Sequence, residues 1–136
     1  MVKEVWFNLP VNDLAKSREF FRAIGFKINP RFENSEDMVS VFVGENNINI
    51  MLFPKKTFQS FIQSEITDSK QSNEILISFD AESIAEVDEL ALKVESAGGK
   101  LYSKPQLSQG WLYGFGFLDL DDHRWNVLYM DYSKMK

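Results

Sequence analysis

The side chains able to do acid–base or metal chemistry are few in this sequence, and the most suggestive group lies near its end. The single histidine, His123, follows Asp119 and Asp121 in the segment 117–127, which reads FLDLDDHRWNV. A histidine beside carboxylates can ligate a metal or transfer a proton. Turn aspartates, however, commonly bond their own backbone. We therefore predict that these three residues order a turn, and we leave the catalytic residues as unknown.

Other catalytic templates are missing from the sequence. It contains no cysteine, so a thiolate nucleophile, a disulfide and a Cys-metal site are all excluded. His123 has no serine-bearing elbow motif beside it. Gly110, Gly114 and Gly116 lie among aromatic residues on a predicted strand without a following helix, so they do not form a phosphate loop. A paired-carboxylate acid–base site stays open, but no residue pattern indicates one.

Composition narrows the class of partner. A length of 136 residues with 44% hydrophobic and 26% charged residues fits one compact domain with a real core. The net charge of −5, without a block of like charge, argues against nucleic acid. No apolar stretch approaches the length of a membrane span, and the first residues are charged where a secretory signal needs an apolar run. We therefore expect a cytoplasmic protein that contacts no membrane.

The elements of the first half begin with an alternating strand at about residues 5–11. A helix follows, which Asp13 caps and Gly25 ends. Three strands are predicted at about 26–32, 38–43 and 48–53. The polar stretch 55–73 is predicted to form a short helix and a linker.

The second half repeats this order. An alternating strand at about 75–79 precedes a helix with a capping box formed by Ser83 and Glu86. The helix ends at Gly98 and Gly99, and strands are predicted at about 100–103, 111–119 and 124–131. The sequence thus predicts β-α-β-β-β twice, which disfavours an all-antiparallel sandwich.

With this order of elements, the chain resembles the vicinal oxygen chelate superfamily, which includes glyoxalases, bleomycin resistance proteins and dioxygenases. The segment 9–17, LPVNDLAKS, with Phe20, Phe21 and Gly25, is similar to the family's first strand and helix. The segment 117–127 is similar to the family's turn before its last strand, Asp-Pro-Asp-Gly-His-x-Trp-Glu. The resemblance implies an α+β fold of two βαβββ modules whose curled mixed sheets form a cleft. A single domain, 1–136, would then comprise a first module at 1–54, a linker at 55–73 and a second module at 74–136.

The resemblance also implies where a metal would be held. Metal-binding members supply His, Glu or Gln ligands from four strands, and the metal polarises two neighbouring substrate oxygens. The corresponding positions here are Trp6, one of Asn49, Met51 and Phe53, then Leu76, and finally Asn126. Indole offers no acceptor nitrogen and leucine offers no donor atom. We therefore predict a member that lacks the metal ligands, with no metal site and no cofactor.

Strand alternation predicts the lining of the cleft. If the opposite strand faces pack on the helices, the remaining side chains face a mostly apolar cleft in which Asn8 and Asn126 orient the ligand. The sequence is also rich in aromatic residues, with 12 Phe, 3 Trp and 4 Tyr. Two interpretations stay open: these side chains line an apolar cavity, or they fill the core and a dimer interface. The predicted ligand-binding residues are Trp6, Asn8, Met51, Phe53, Leu76, Ser78, Leu112, Asn126 and Leu128.

Three functions follow from this interpretation. The first is a metal-independent protein that binds a small aromatic or hydrophobic molecule, as the bleomycin resistance branch does. The second is a metal-dependent lactoylglutathione lyase or dioxygenase of the same superfamily, against which the missing ligands argue. The third is a structural or regulatory module whose cleft is filled by its own side chains.

The resemblance implies a homodimer, because members of the family commonly dimerise. We expect sedimentation velocity at micromolar protein concentration to give the mass of two chains. A single species with the mass of one chain would count against this expectation.

Overall fold

The computed structural model describes residues Met1–Met135 and divides the chain into two compact units, Met1–Asp68 and a second that begins at Ser69. Each unit contains one four-stranded mixed sheet, with the strand order β1-β4-β3-β2 in the first and β5-β8-β7-β6 in the second. In both sheets the first pair is parallel and the others are antiparallel. The predicted α+β class with two βαβββ modules is confirmed.

The first unit follows the predicted order closely. Its elements are β1 (Trp6–Val11), α1 (Leu14–Ala23), β2 (Lys27–Ile28), β3 (Val39–Val43), β4 (Ile48–Pro54) and α2 (Lys55–Ile62). Helix α1 begins where predicted because the side chain of Asp13 accepts a hydrogen bond from the Lys16 backbone N–H at 3.0 Å. It ends before Gly25, whose φ of 104° lies in the region that glycine adopts without strain.

Strand β2 is much shorter than the predicted strand at 26–32. A turn of 3-10 helix, Pro30–Phe32, occupies the rest of that segment. Pro30 has no backbone N–H to donate to a neighbouring strand. The side chain of Asn29 accepts a hydrogen bond from the Arg31 backbone N–H at 3.0 Å and so begins the turn. The prediction of a strand over residues 30–32 was therefore wrong.

The second unit contains β5 (Leu76–Asp80), α3 (Ile84–Ser96), β6 (Lys100–Ser108), β7 (Leu112–Leu118) and β8 (Arg124–Met130). Strand β6 runs five residues beyond the predicted end at 103. It includes Pro105, which is tolerated because β6 is an edge strand. The pairing with β7 shifts register between Leu101 and Ser103 and again between Ser103 and Gln106.

The core of the second unit lies between its sheet and α3. The rings of Phe117 and Trp125 stack with centroids 5.9 Å apart, and Phe79 packs edge-on against both. From α3, the buried residues Val87, Ala91 and Val94 face this core. Trp125, Phe117 and Val127 are completely buried, so this face of the sheet is committed to packing.

A buried carboxylate organises the turn before β8. Asp119 accepts hydrogen bonds from the backbone N–H groups of Asp121 and His123, at 2.9 and 3.0 Å, and from Trp125 Nε1 at 3.0 Å. Asp122, with a φ of 63°, occupies the position where the family's turn has glycine; Asp tolerates this conformation better than most residues. Burial raises the pKa of Asp119, while the charge of His123 and the hydrogen bonds from Trp125, Asp121 and His123 oppose that rise.

No helix within residues 1–135 is both long enough and apolar enough to cross a membrane.

Replacing Asp119 with Asn should destabilise the turn, because an amide has one oxygen and would set its N–H group against a donor. We expect the free energy of unfolding to fall by about 2 kcal/mol. The raised folded-state pKa of Asp119 means that its contribution is fully present below the unfolded pKa and is lost as pH rises through the folded pKa. The difference between wild type and Asp119→Asn should therefore shrink as the pH is raised.

Urea denaturation followed by tryptophan fluorescence, at pH values from about 4 to 8, measures this difference directly. Comparing the two proteins at each pH cancels the titration of groups that do not interact with Asp119. A difference that grows with pH would contradict the expected direction.

Candidate functional site

One face of each sheet is covered by a helix that follows the first strand, and the alternate residues lie on the other face. Paired residues share a face, so the register Trp6 with Asn49 and Asn8 with Met51 puts these four residues together on the first sheet. On the second sheet, the register puts Ser78 beside Asn126. The predicted alternation of the ligand-binding residues is therefore present in each unit.

In the first unit, Trp6 is the predicted residue that lines the cavity described next. This cavity has a volume of about 510 Å³ and includes the candidate ligand position Asn49. Trp6 is 53% exposed and Asn8 is exposed, whereas Met51 and Phe53 are 7% and 9% exposed. Phe53 packs edge-on against Phe61 of α2, with ring centroids 5.0 Å apart. Helix α2 thus covers the end of the strand face that was predicted to line an open cleft.

A hydrogen-bonded chain occupies the wall of this first-unit cavity. Asn49 Oδ1 accepts from the hydroxyl of Ser40 at 2.6 Å, and that hydroxyl accepts from Asn29 Nδ2 at 3.2 Å. The side-chain oxygen of Asn49 therefore already accepts one hydrogen bond within the protein. The same cavity is bordered by charged residues of both signs, among them Lys3, Glu4 and Arg31.

The second unit contains a cavity of about 450 Å³, here called the second-unit cavity. Three predicted residues line it, Leu112, Asn126 and Leu128. The other two, Leu76 and Ser78, lie on the edge strand β5 and are exposed, with Leu76 50% exposed. The complete lining is Tyr102, Ser103, Gln106, Leu107, Ser108, Leu112, Gly114, Phe115, Gly116, Asn126 and Leu128.

Two glycines of β7, Gly114 and Gly116, line the second-unit cavity, and Gly116 determines where the ring of Tyr102 lies. A side chain on Gly116 would overlap the ring of Tyr102, so the absence of a Cβ lets that ring lie across the strand. The Tyr102 hydroxyl donates to the carbonyl of Trp125 at 3.3 Å, and the Arg124 guanidinium lies 4.6 Å from the ring centre. Burial raises the pKa of Tyr102, and the charge of Arg124 opposes the rise.

Sequence reasoning missed Gln106 because the predicted strand ended at residue 103. It missed Tyr102 because the register shift between Leu101 and Ser103 is not encoded by a local pattern. The glycines of β7 were the available signal, since a glycine inside a strand often marks the close approach of another group.

Asn126 differs from its neighbours in one respect. Its Oδ1 atom is buried and accepts no hydrogen bond from the residues that the structure describes. Buried polar atoms are paired in the great majority of cases. The side chain of Asn126 contributes to the lining of the second-unit cavity, while its oxygen is enclosed by protein.

The residues at the family's ligand positions do not fit a metal. In the first unit, the indole of Trp6 is only a donor and Asn49 is engaged by Ser40. In the second unit, Leu76 has no ligating atom, and the oxygen of Asn126 is buried. Across residues 1–135, no three His, Cys, Asp or Glu side chains come together in a way that could hold an ion. His123 is buried in the turn, beside the carboxylate of Asp119.

Comparisons with known proteins agree with this fold. Residues 3–44 match the family model for bleomycin resistance protein-like N-terminal domains. The structure of hypothetical protein SA1046 from S. aureus is 41% identical, with 94% of each chain covered and a TM-score of 0.83. No curated protein sequence matches the chain.

Two more distant structures share the fold. A glyoxalase/bleomycin resistance protein/dioxygenase family enzyme from Burkholderia phytofirmans PsJN is 18% identical, with 93% of this chain and 97% of that chain covered and a TM-score of 0.77. The fosfomycin resistance protein FosX from Listeria monocytogenes, complexed with Mn(II) and sulfate ion, is 19% identical. There 98% of this chain and 94% of that chain are covered, with a TM-score of 0.68.

The two glycines of β7 should respond differently to alanine. A Cβ on Gly114 would overlap the backbone carbonyl of Val127, which cannot move without distorting the sheet, whereas a Cβ on Gly116 meets the movable end of Tyr102. We expect Gly114→Ala to lower the free energy of unfolding by about 3 kcal/mol and Gly116→Ala by about 1 kcal/mol.

Chemical denaturation of both variants measures these costs, and Tyr102→Ala provides the control. Removing the ring should relieve Gly116→Ala but leave Gly114→Ala unchanged, as a double-mutant cycle would report. Equal costs for the two glycines, or no relief by Tyr102→Ala, would contradict the assigned contacts.

Proposed function

We propose a metal-independent binding function for this chain, which belongs to the vicinal oxygen chelate superfamily of glyoxalases, bleomycin resistance proteins and dioxygenases. Its ligand is a small aromatic or hydrophobic molecule. The chain would hold this molecule in the second-unit cavity through Leu112, Asn126 and Leu128.

The observation that carries the proposal is the composition of this cavity. Its volume of about 450 Å³ lies in the range of small-molecule sites, which are mostly apolar with a few placed polar groups. Leu112 and Leu128 supply apolar surface, and the ring of Tyr102 supplies a flat wall. Asn126 supplies a side-chain amide.

The donor chemistry argues against the metal-dependent alternative. A lyase or dioxygenase of this superfamily needs nitrogen and oxygen ligands that leave open positions for substrate. The corresponding residues here are an indole, an amide already bonded to Ser40, a leucine and one free amide. A single neutral oxygen is too weak a site to hold a divalent ion in water.

The third candidate, a module with a filled interior, is favoured by one observation in the first unit. Met51 and Phe53 are buried there, and α2 packs on Phe53 through Phe61. These two predicted residues therefore act in packing. Of the remaining predicted residues of the first unit, Trp6 lines the cavity and Asn8 is exposed outside its lining.

We also propose a cytoplasmic homodimer. Strands β1 and β5 are edges of their sheets. Large apolar side chains are exposed on or next to them, namely Val5, Trp6, Phe7, Ile75 and Leu76. Apolar residues on an unpaired strand edge favour association with another chain. The absence of cysteine fits a reducing compartment.

Metal analysis of protein purified without chelator tests the proposed metal independence. We expect far less than one equivalent of any transition metal per chain and no change in melting temperature on adding EDTA. Stoichiometric metal whose removal lowers the melting temperature would overturn metal independence.

The thermal shift produced by small planar aromatic probes tests the proposed binding of a small molecule. A probe at ten times its Kd stabilises the folded state by about 1.4 kcal/mol, which corresponds to roughly 5 °C. Leu112→Trp, which fills the cavity, should abolish the shift. Leu92→Trp, on the exposed surface of α3, should keep it. A shift that survives Leu112→Trp would place the site elsewhere, and no shift with any probe would overturn the binding function.

A further inference from the structure

We propose that the first-unit cavity binds a small planar monoanion, an aromatic carboxylate, and that Asn49 and Arg31 hold its charged group. Every residue that lines this cavity belongs to the first unit. The site is therefore distinct from the second-unit cavity and does not depend on the binding function proposed there.

The hydrogen-bonded chain in the cavity wall ends in a donor. It begins at the backbone N–H of Arg31, which can only donate and which bonds Asn29 Oδ1 at 3.0 Å. Asn29 therefore uses its Nδ2 group on the hydroxyl of Ser40, and that hydroxyl donates its own hydrogen to Asn49 Oδ1. The Nδ2 group of Asn49, which carries two N–H donors, is left at the end of the chain.

This Nδ2 group is accessible and unpaired. No described residue accepts a hydrogen bond from it. Within residues 1–135, the buried side-chain polar atoms without a partner are Arg18 Nε and Asn126 Oδ1. Asn49 Nδ2 is not among them, so it keeps contact with solvent. An acceptor atom of a molecule in the cavity can reach it.

Two aromatic rings flank this donor. Asn49 is paired with Trp6 of β1 on one side and with Phe42 of β3 on the other, so these three side chains share one face of the sheet. All three line the cavity, and Trp6 is 53% exposed. A flat ring can therefore lie against Trp6 or Phe42 while the acceptor group attached to it bonds Asn49.

The charge of the lining favours an anion. Lys3 and Arg31 supply two positive charges and Glu4 supplies one negative charge, although the whole chain has a net charge of −5. None of the three forms an ion pair within residues 1–135. The turn that carries Arg31 is fixed, because the backbone N–H of Asn29 donates to the Ser40 carbonyl at 2.9 Å. A monoanion balances the excess positive charge and gains charge-assisted hydrogen bonds.

Naphthalene-2-carboxylate and naphthalene-2-carboxamide form a matched pair of probes, because they share one ring system and differ in charge. In NMR titrations of the full chain at neutral pH and low salt, we expect both to shift amide signals of β3, β4 and residues 29–32. The carboxylate should bind about tenfold more tightly. This preference should shrink at about 1 M salt, which screens exposed charges. Signals of β6, β7 and β8 report separately on the second-unit cavity.

Three substitutions test the assigned groups. Asn49→Asp keeps an oxygen for the Ser40 hydroxyl but replaces the donor with a second carboxylate oxygen, so the preference for the carboxylate should fall to about one or reverse. Arg31→Gln should weaken carboxylate binding about threefold, and Glu4→Gln should strengthen it by a similar factor. Asn34→Asp, at an exposed asparagine outside the lining, adds the same charge as Asn49→Asp and should retain the preference.

Each contrary outcome overturns a defined part of the argument. Equal affinity of the wild type for both probes, or a preference for the carboxamide, overturns the selection of an anion. A preference that survives Asn49→Asp overturns the role of Asn49 as donor. If that variant fails to fold, the opposite effects expected of Arg31→Gln and Glu4→Gln still decide whether charge selects the ligand. Absence of any shift in β3 and β4, up to the solubility of both probes, overturns the site even where signals of the second unit respond.

Discussion

Side chains alternate between the two faces of each four-stranded sheet, and everything else in the molecule depends on how those faces are used. In the second unit one face carries Phe79, Phe117 and Trp125 against α3. Once these residues are committed to the core, the intervening residues must lie on the opposite face. A shift of one residue in register would exchange the two sets and bury Asn126 in the core. The position of the candidate site is therefore a consequence of the packing of the core.

Burial of one carboxylate secures this arrangement at the start of β8. Asp119 satisfies two backbone donors of the turn and the indole nitrogen of Trp125. Trp125 is thereby oriented from the core side, while its carbonyl accepts from Tyr102 on the cavity side. The turn that resembles the family's motif thus acts through structure, and His123 belongs to it as a buried partner of Asp119 instead of a ligand.

The residue types at the family's metal-ligand positions determine the kind of chemistry that the fold can support. A metal polarises substrate oxygens as a Lewis acid, and that role needs several donor atoms converging on one point. The corresponding positions here hold an indole, a leucine and two amides, and none of them is a histidine or a carboxylate. A neutral amide can form hydrogen bonds but can neither transfer a proton nor hold a charge, which favours recognition over catalysis. The proposed binding function rests on this difference.

The sequence by itself determined the order of the elements and the absence of His and carboxylate side chains at the family's ligand positions. Helix caps at Asp13 and Ser83 and the alternation of apolar residues are local signals, so they are legible without the fold. The residue types at Trp6, Leu76 and Asn126 fix their donor atoms in any conformation.

Only the tertiary structure decided which residues of the open faces remain accessible. Phe61 covers Phe53, the register shifts of β6 bring Gln106 into the cavity, and Tyr102 lies across Gly116. The burial of the Asn126 oxygen is likewise a property of its surroundings. Each of these facts depends on contacts between residues that are distant along the chain or on a bulge whose register is set by a neighbouring strand. No local pattern of residues encodes such contacts.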